Sequence, residues 1–533
     1  MPGRHLAVKA LDAALRRRCP DAGLLHHSDQ GSPYASDDYQ KVISAHGITC
    51  SMSRRGTVLY KTLQGHWIAF LAEVSGGAEP ELPRFVIEEV ESFLKCGILA
   101  NGFLRVVCDG CQENRLVAFS CKRRGFCSSC LGRRMCDFAA HLRDRVMPRV
   151  PVRQWVLTVP HGLRFRMAFN PDVTGLVLRT FVSVVSRWLR RRARAVGIRG
   201  LLKTGGVTVI QRFGSALNLN VHFHTLMIDG VYELRLGGPP IFHPVPAPTD
   251  DDVAAIAGAV LRKVADKLAG LDDVAEDAAV AGEPLLAGLA SASVAGVVAT
   301  GARRGGRVGR VVGPVRPGEA TVVGRRCALV DGFSLHANVR IAANDRDGLE
   351  HVARYLARPP IAADRLTALP NGNVALRLRR RWSDGTEALV FTPAELIAKL
   401  LPLVPRPRKH VRRFHGVLAP AAAARSGIVP RPTAAEASKP TAPTGTAYRL
   451  PWAALLKRVF LVDALDCPRC HGRMRIVAAV MEATAVERIL RHLGHEPRAP
   501  TLTPARAPPE RDLVVDEPSG DFVDPPGPED FPA

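Results

Sequence analysis

Apolar and β-branched residues alternate with polar ones through residues 218–230, Asn-Leu-Asn-Val-His-Phe-His-Thr-Leu-Met-Ile-Asp-Gly. Period two predicts a strand, and on a strand residues i and i+2 share a face. His222 and His224 therefore project side by side, with Phe223 pointing the other way into a core. Similar patterns predict strands at 154–159, ended by Pro160, at 206–213, and at 333–341, which holds His336. The 206–213 strand runs through Gly214-Ser215 into the histidine strand, which predicts an antiparallel pair. A hairpin is predicted around residues 383–386. Helical spacing marks 83–94, 172–195, 251–268 and a segment that begins near Asp347 and stops at Pro359-Pro360. Tyr355 lies in the last turns of that final helix, between Arg354 and Arg358. Helices mixed with antiparallel strands predict an α+β fold.

Cysteine adds chemistry to this pattern. The chain has 12, and seven fall between Cys96 and Cys136. Cys108-Asp-Gly-Cys111 and Cys127-Ser-Ser-Cys130 have the paired-knuckle spacing of a four-thiolate zinc site, so Cys108, Cys111, Cys127 and Cys130 are expected to hold one structural Zn²⁺. Cys96, Cys121 and Cys136 are then left as thiols, Cys121 being the candidate for a second site. Cys467-Pro-Arg-Cys470-His471 is half a zinc site. Lys122, Arg123, Arg124, Arg133 and Arg134 surround the first cluster, which suggests a nucleic-acid contact; a zinc-stabilised protein contact is the alternative.

Charge points the same way. The chain of 533 residues carries a formal net charge of +23, which suits a polyanionic partner. Arg187, Arg190, Arg191, Arg192 and Arg194 at one helix end exceed what the helix dipole calls for and are assigned to phosphates. No secretory leader and no apolar run long enough for a membrane span is read, so a cytoplasmic, nucleoid-associated protein with no membrane partner is expected.

Residues 25–36 and 46–56, Leu-His-His-Ser-Asp-Gln-Gly-Ser-Pro-Tyr-Ala-Ser and His-Gly-Ile-Thr-Cys-Ser-Met-Ser-Arg-Arg-Gly, resemble the integrase core of transposases of insertion-sequence family three. The resemblance puts Asp29 on that family's second catalytic Asp. Two-metal chemistry needs further carboxylates, yet residues 57–72 contain none and only 28 residues precede Asp29. Residues 1–56 are therefore read as a catalytically dead remnant.

Most of the remaining chain resembles the rolling-circle transposases of insertion-sequence family ninety-one, which are HUH (His-hydrophobic-His) nucleases. The resemblance is carried by residues 96–111, 119–130, Gln211-Arg-Phe-Gly214, 217–224, Arg354-Tyr-Leu-Ala-Arg-Pro-Pro360, Phe414-His-Gly-Val417 and 467–474. It implies an antiparallel-sheet HUH nuclease domain over 151–416, with an insertion near 277–318. A junction and helix (57–95) and a zinc-binding DNA-contact module (96–150) precede it. A linker (417–447), a small C-terminal region (448–498) and a disordered acidic tail (499–533) follow. It implies a catalytic Mg²⁺ or Mn²⁺ on His222 and His224, with His336 as candidate third ligand, and Tyr355 as the nucleophile that forms a 5′-phosphotyrosine. Arg354 and Arg358 would steady the phosphate. The partners implied are single-stranded DNA at transposon ends and target DNA, and a second copy of the chain where two protomers cooperate. Some members place two tyrosines four residues apart; here those positions are His351 and Pro359, so a single-tyrosine member is expected. Rival readings are a non-catalytic zinc-dependent DNA-binding protein and a carboxylate-triad integrase.

Overall fold

A computed structural model describes residues 57–75, 82–270, 280–313, 324–430 (apart from 363–364 and 383) and 465–502 (apart from 468), with short pieces between 11 and 51 and near 453–458. Among those pieces, Leu25–His27 and Thr49–Ser51 pair as short parallel strands. Asp29 lies outside the described residues, as do most of the expected linker and the acidic tail.

Two helices open the well-described part: α1 (Val58–Ser75) and α2 (Arg84–Lys95). The expected junction is thus helical, because Leu59, Tyr60, Leu63, Trp67 and Phe70 give it a buried face. Val86, Val90, Phe93 and Leu94 of α2 are buried in the same core. Strands β1 (Phe103–Cys108) and β2 (Asn114–Ala118) follow, then helix α3 (Ser128–His141).

The central sheet begins with β3 (Val152–Thr158). Helices α4 (His161–Phe169) and α5 (Pro171–Ala195) lead to the hairpin of β4 (Gly205–Phe213) and β5 (Leu219–Ile228). Helix α6 (Asp250–Leu268) precedes β6 (Cys327–Val330) and β7 (Phe333–His336). Helix α7 (Arg346–Leu356) carries Tyr355, and β8 (Arg412–Gly416) closes the sheet edge. The strand order is β6–β7–β3–β5–β4–β8, every neighbouring pair antiparallel. The strand expected over 333–341 is interrupted: Arg340–Ile341 pairs separately with β3.

Alternation along β5 decides what each face does. Phe223 and Met227 face a core that includes Trp155 and Leu157 of β3 and Val177, Phe181 and Leu189 of α5. Leu226 and Ile228 join Val207 and Val209 in a second core, where Leu349, Val352, Ala353 and Leu356 of α7 pack with Phe138 and Leu142 of the zinc-module side. The tyrosine helix is thus held between the sheet and α3. Fully burying one side chain such as Phe223 contributes about 1.5–3 kcal/mol.

Two of the expected segments gain definition here. The 277–318 insertion contains a helix, Pro284–Ala295, whose Leu286, Leu289 and Ala290 are buried, and a strand, Gly309–Val312, that pairs with Thr386–Phe391. The C-terminal region is not a separate appendage: β9 (Met474–Val480) pairs with β1, completing a β9–β1–β2 sheet. Helix α8 (Ala483–His492) packs Val486 and Leu490 on Phe103. Among the described residues no helix is long and apolar enough to cross a membrane.

Candidate functional site

The zinc module holds two four-cysteine clusters, not the single predicted one. Cys108 and Cys111 gather with Cys467 and Cys470, while Cys127 and Cys130 gather with Cys96 and Cys121. The predicted set Cys108, Cys111, Cys127 and Cys130 is therefore split. The reason is that β9 brings the C-terminal knuckle beside the first one, a pairing that spacing within residues 108–130 could not reveal. The sulfurs of Cys108 and Cys470, and those of Cys111 and Cys467, are each 3.5 Å apart. Cys121 and Cys96 lie 3.4 and 3.7 Å from Cys130. A tetrahedral zinc with bonds of about 2.3 Å needs sulfurs about 3.8 Å apart, so both donor sets fit the ion.

The two knuckles of the first cluster repeat one backbone device. Gln112 N donates to Cys108 O and His471 N donates to Cys467 O. Gln112 and His471 both take φ 58°, left-handed turns that close each knuckle. A Cβ at Gly472 would stand 3.2 Å from the sulfurs of both Cys108 and Cys470. The backbone amide of Cys111 leads the causes that bring the Cys108 thiol down to about 7, toward the thiolate a metal requires. In the second cluster Cys127 caps α3, accepting from Cys130 N at 3.1 Å.

A different chemistry lies on the sheet face beneath α7. His222 Nε2 and His224 Nε2 are 3.0 Å apart, with side chains buried. Two ligands on adjacent corners of an octahedron with metal bonds of about 2.1 Å are separated by about this distance. His222 Nδ1 lies 2.9 Å from Asn220 O, and His224 Nδ1 lies 3.1 Å from Gln154 Nε2. Burial, reinforced by the Arg358 and Arg164 charges, lowers His222 to about 4; burial and its neighbours push His224 well below its ordinary value. Both rings are neutral at pH 7, as ligands must be. The Tyr355 ring stands edge-on to His224, centroids 5.9 Å apart, with the Arg358 guanidinium 4.1 Å from the Tyr355 centroid.

Residues 205–426 match the Y2 transposase family, residues 62–159 the transposase zinc-binding domain of the IS91 type, and residues 1–57 the integrase core domain. The transposase for insertion sequence element IS801 of Pseudomonas savastanoi pv. phaseolicola is 23% identical over 406 residues, 75% of this chain and 85% of that protein. The chain belongs to the IS91-type transposases. At its start it carries an integrase-core fragment. Over 53 residues that fragment is 49% identical to an uncharacterized 31 kDa protein of insertion element IS600 of Shigella sonnei, covering 10% of this chain and only 20% of that protein. No solved structure matches the chain.

The transposase places its predicted site residues unevenly. His222, His224 and Tyr355 come together, whereas His336 sits two strands from His224, across Val156. His336 does not join the pair in any group of donor atoms within 4.8 Å of one another; among the described residues, the groups of three or more are the two cysteine clusters. Arg124 of the predicted DNA-contact set turns inward, donating to the carbonyls of Lys409 and Arg406 at 2.9 and 3.1 Å. Arg134 donates to Lys122 O, and Arg123 pairs with Glu88 and Ser92. Arg133 is exposed. Arg354 lies 3.9 Å from Glu350. Sequence reasoning gave no role to Gln154 or Gln211 on the histidine face, although Gln211 opens one of the motifs that carry the resemblance.

Proposed function

We propose that this transposase nicks single-stranded DNA and rejoins it through a 5′-phosphotyrosine on Tyr355. The observation that carries the reading is Tyr355 set edge-on against a buried pair of neutral histidines, with Arg358 over its ring. The Tyr355 oxygen attacks the phosphorus, the bond to the 3′ oxygen breaks, and that oxygen leaves with a proton as a free 3′-OH. The 5′ phosphate stays on Tyr355 until another 3′-OH reverses the step, so no external energy source is required. His222 and His224 would hold Mg²⁺ or Mn²⁺, which supplies Lewis-acid polarisation of the phosphate. Arg358 offers its positive charge beside the tyrosine, where the phosphate's negative charge must be accommodated. Single-stranded DNA is the substrate in this reading, because an unpaired backbone can bring a phosphate to the buried histidine pair.

The test incubates the full-length protein with a single-stranded oligonucleotide carrying the element's end and Mn²⁺. A denaturation-resistant protein–DNA adduct is expected from wild type and lost in Tyr355→Phe. An adduct that persists in Tyr355→Phe, or its absence from wild type with both Mg²⁺ and Mn²⁺, overturns the reading.

A further inference from the structure

His222 has two register partners on the same sheet face: Thr158 on β3 and Gln211 on β4. Neighbouring strands lie about 4.7–4.9 Å apart, so both side chains start within reach of the His222 ring. Gln211 is only 3% exposed. Its Nε2 donates to Leu356 O at 2.6 Å, the carbonyl of the residue that follows Tyr355. A carbonyl only accepts, so this bond fixes the amide nitrogen on the helix side and turns Oε1 away from it. Gln211 Oε1 is buried and has no hydrogen-bond partner among the described residues. A buried carboxamide oxygen without a partner is costly and calls for one. A hard oxygen carried on the strand position paired with His222 is the class of donor that Mg²⁺ and Mn²⁺ accept.

We infer that Gln211 is the third protein ligand of the divalent ion and that the same carboxamide tethers the Tyr355 helix to it. This rests on the nicking reading above. The nitrogen holds α7 while the oxygen completes the donor set, so nucleophile and ion share one side chain as their common reference. His336, separated from His224 by Val156, is displaced from this role.

The test measures Mn²⁺ affinity of full-length protein by electron paramagnetic resonance, beside the rate of adduct formation. Gln211→Leu weakens Mn²⁺ binding by about tenfold or more and slows adduct formation. Gln211→Glu returns a ligand oxygen and restores Mn²⁺ affinity, but a carboxylate cannot donate to Leu356 O, so the adduct rate stays low. His336→Ala keeps Mn²⁺ affinity within about twofold of wild type on the same scale. The inference is overturned if Gln211→Leu retains wild-type affinity while His222→Ala loses it, if Gln211→Glu fails to restore binding, or if the loss appears instead in His336→Ala or Thr158→Val. Wild type that neither binds Mn²⁺ nor forms an adduct would remove the nicking reading itself, a result distinct from these.

Discussion

At the scale of single residues, buried histidines make the protein sensitive to acid. Burial lowers His222, His336 and His415 to about 4, against an ordinary value of 6.5. Between those two values the unfolded chain binds protons that the folded chain refuses. Stability is therefore fully present above pH 6.5 and lost as pH falls toward 4. The urea midpoint is expected to drop across that window, and His415→Gln, which removes one of the three groups away from Tyr355, should flatten part of the drop. A midpoint indifferent to pH between 6.5 and 4 would contradict the burial argument.

At the scale of elements, α3 joins the second cysteine cluster to the helix that carries Tyr355. Its first turn carries Cys127 and Cys130, and its far end packs on the tyrosine helix. Just beyond it, Arg143 reaches Glu350 of α7 at 2.8 Å, and Arg458 reaches the same carboxylate at 2.6 Å. The other cluster clasps β9 to β1. Two zinc ions per chain are expected by metal analysis of the purified protein. Replacing Cys467 and Cys470 together by Ser should lower this to one and expose residues 465–502 to limited proteolysis, because β9 then loses its metal clasp and keeps its ladder hydrogen bonds, an exposed Arg475–Asp109 ion pair and a small apolar contact. Full zinc content in that double variant would show that the clusters are assigned wrongly.

At the scale of the whole molecule, two unequal pieces of transposase sequence are joined. The integrase-core fragment spans residues 1–57, while the IS91-type part begins at about residue 62. If strand cleavage belongs to Tyr355 alone, Asp29→Asn should leave adduct formation unchanged within about twofold, a difference below 0.5 kcal/mol in barrier. A loss of ten-fold or more would return the integrase reading. The net charge of +23 is spread over many arginines, several of which hold backbone carbonyls of the fold itself, so charge marked the partner class better than it marked the contacts.

Sequence alone determined what depends on local order. Period-two alternation gave β4 and β5 and the side-by-side His222 and His224, because a strand's side-chain geometry needs no other part of the chain. Helical spacing and the Pro359-Pro360 stop gave the helix of Tyr355 for the same reason. Short cysteine spacings marked each knuckle. Only tertiary structure decided which knuckles share a metal, since Cys467 lies 356 positions from its neighbour Cys111 and β9 pairing sets the choice. Only tertiary structure brought Tyr355 to His224 and Gln211 to Leu356, because those contacts depend on how α7 packs across the sheet. The pair of histidines was legible in one strand; the residues that surround them come from β3, β4 and the α7 end and were brought together by strand register and by the packing of that helix.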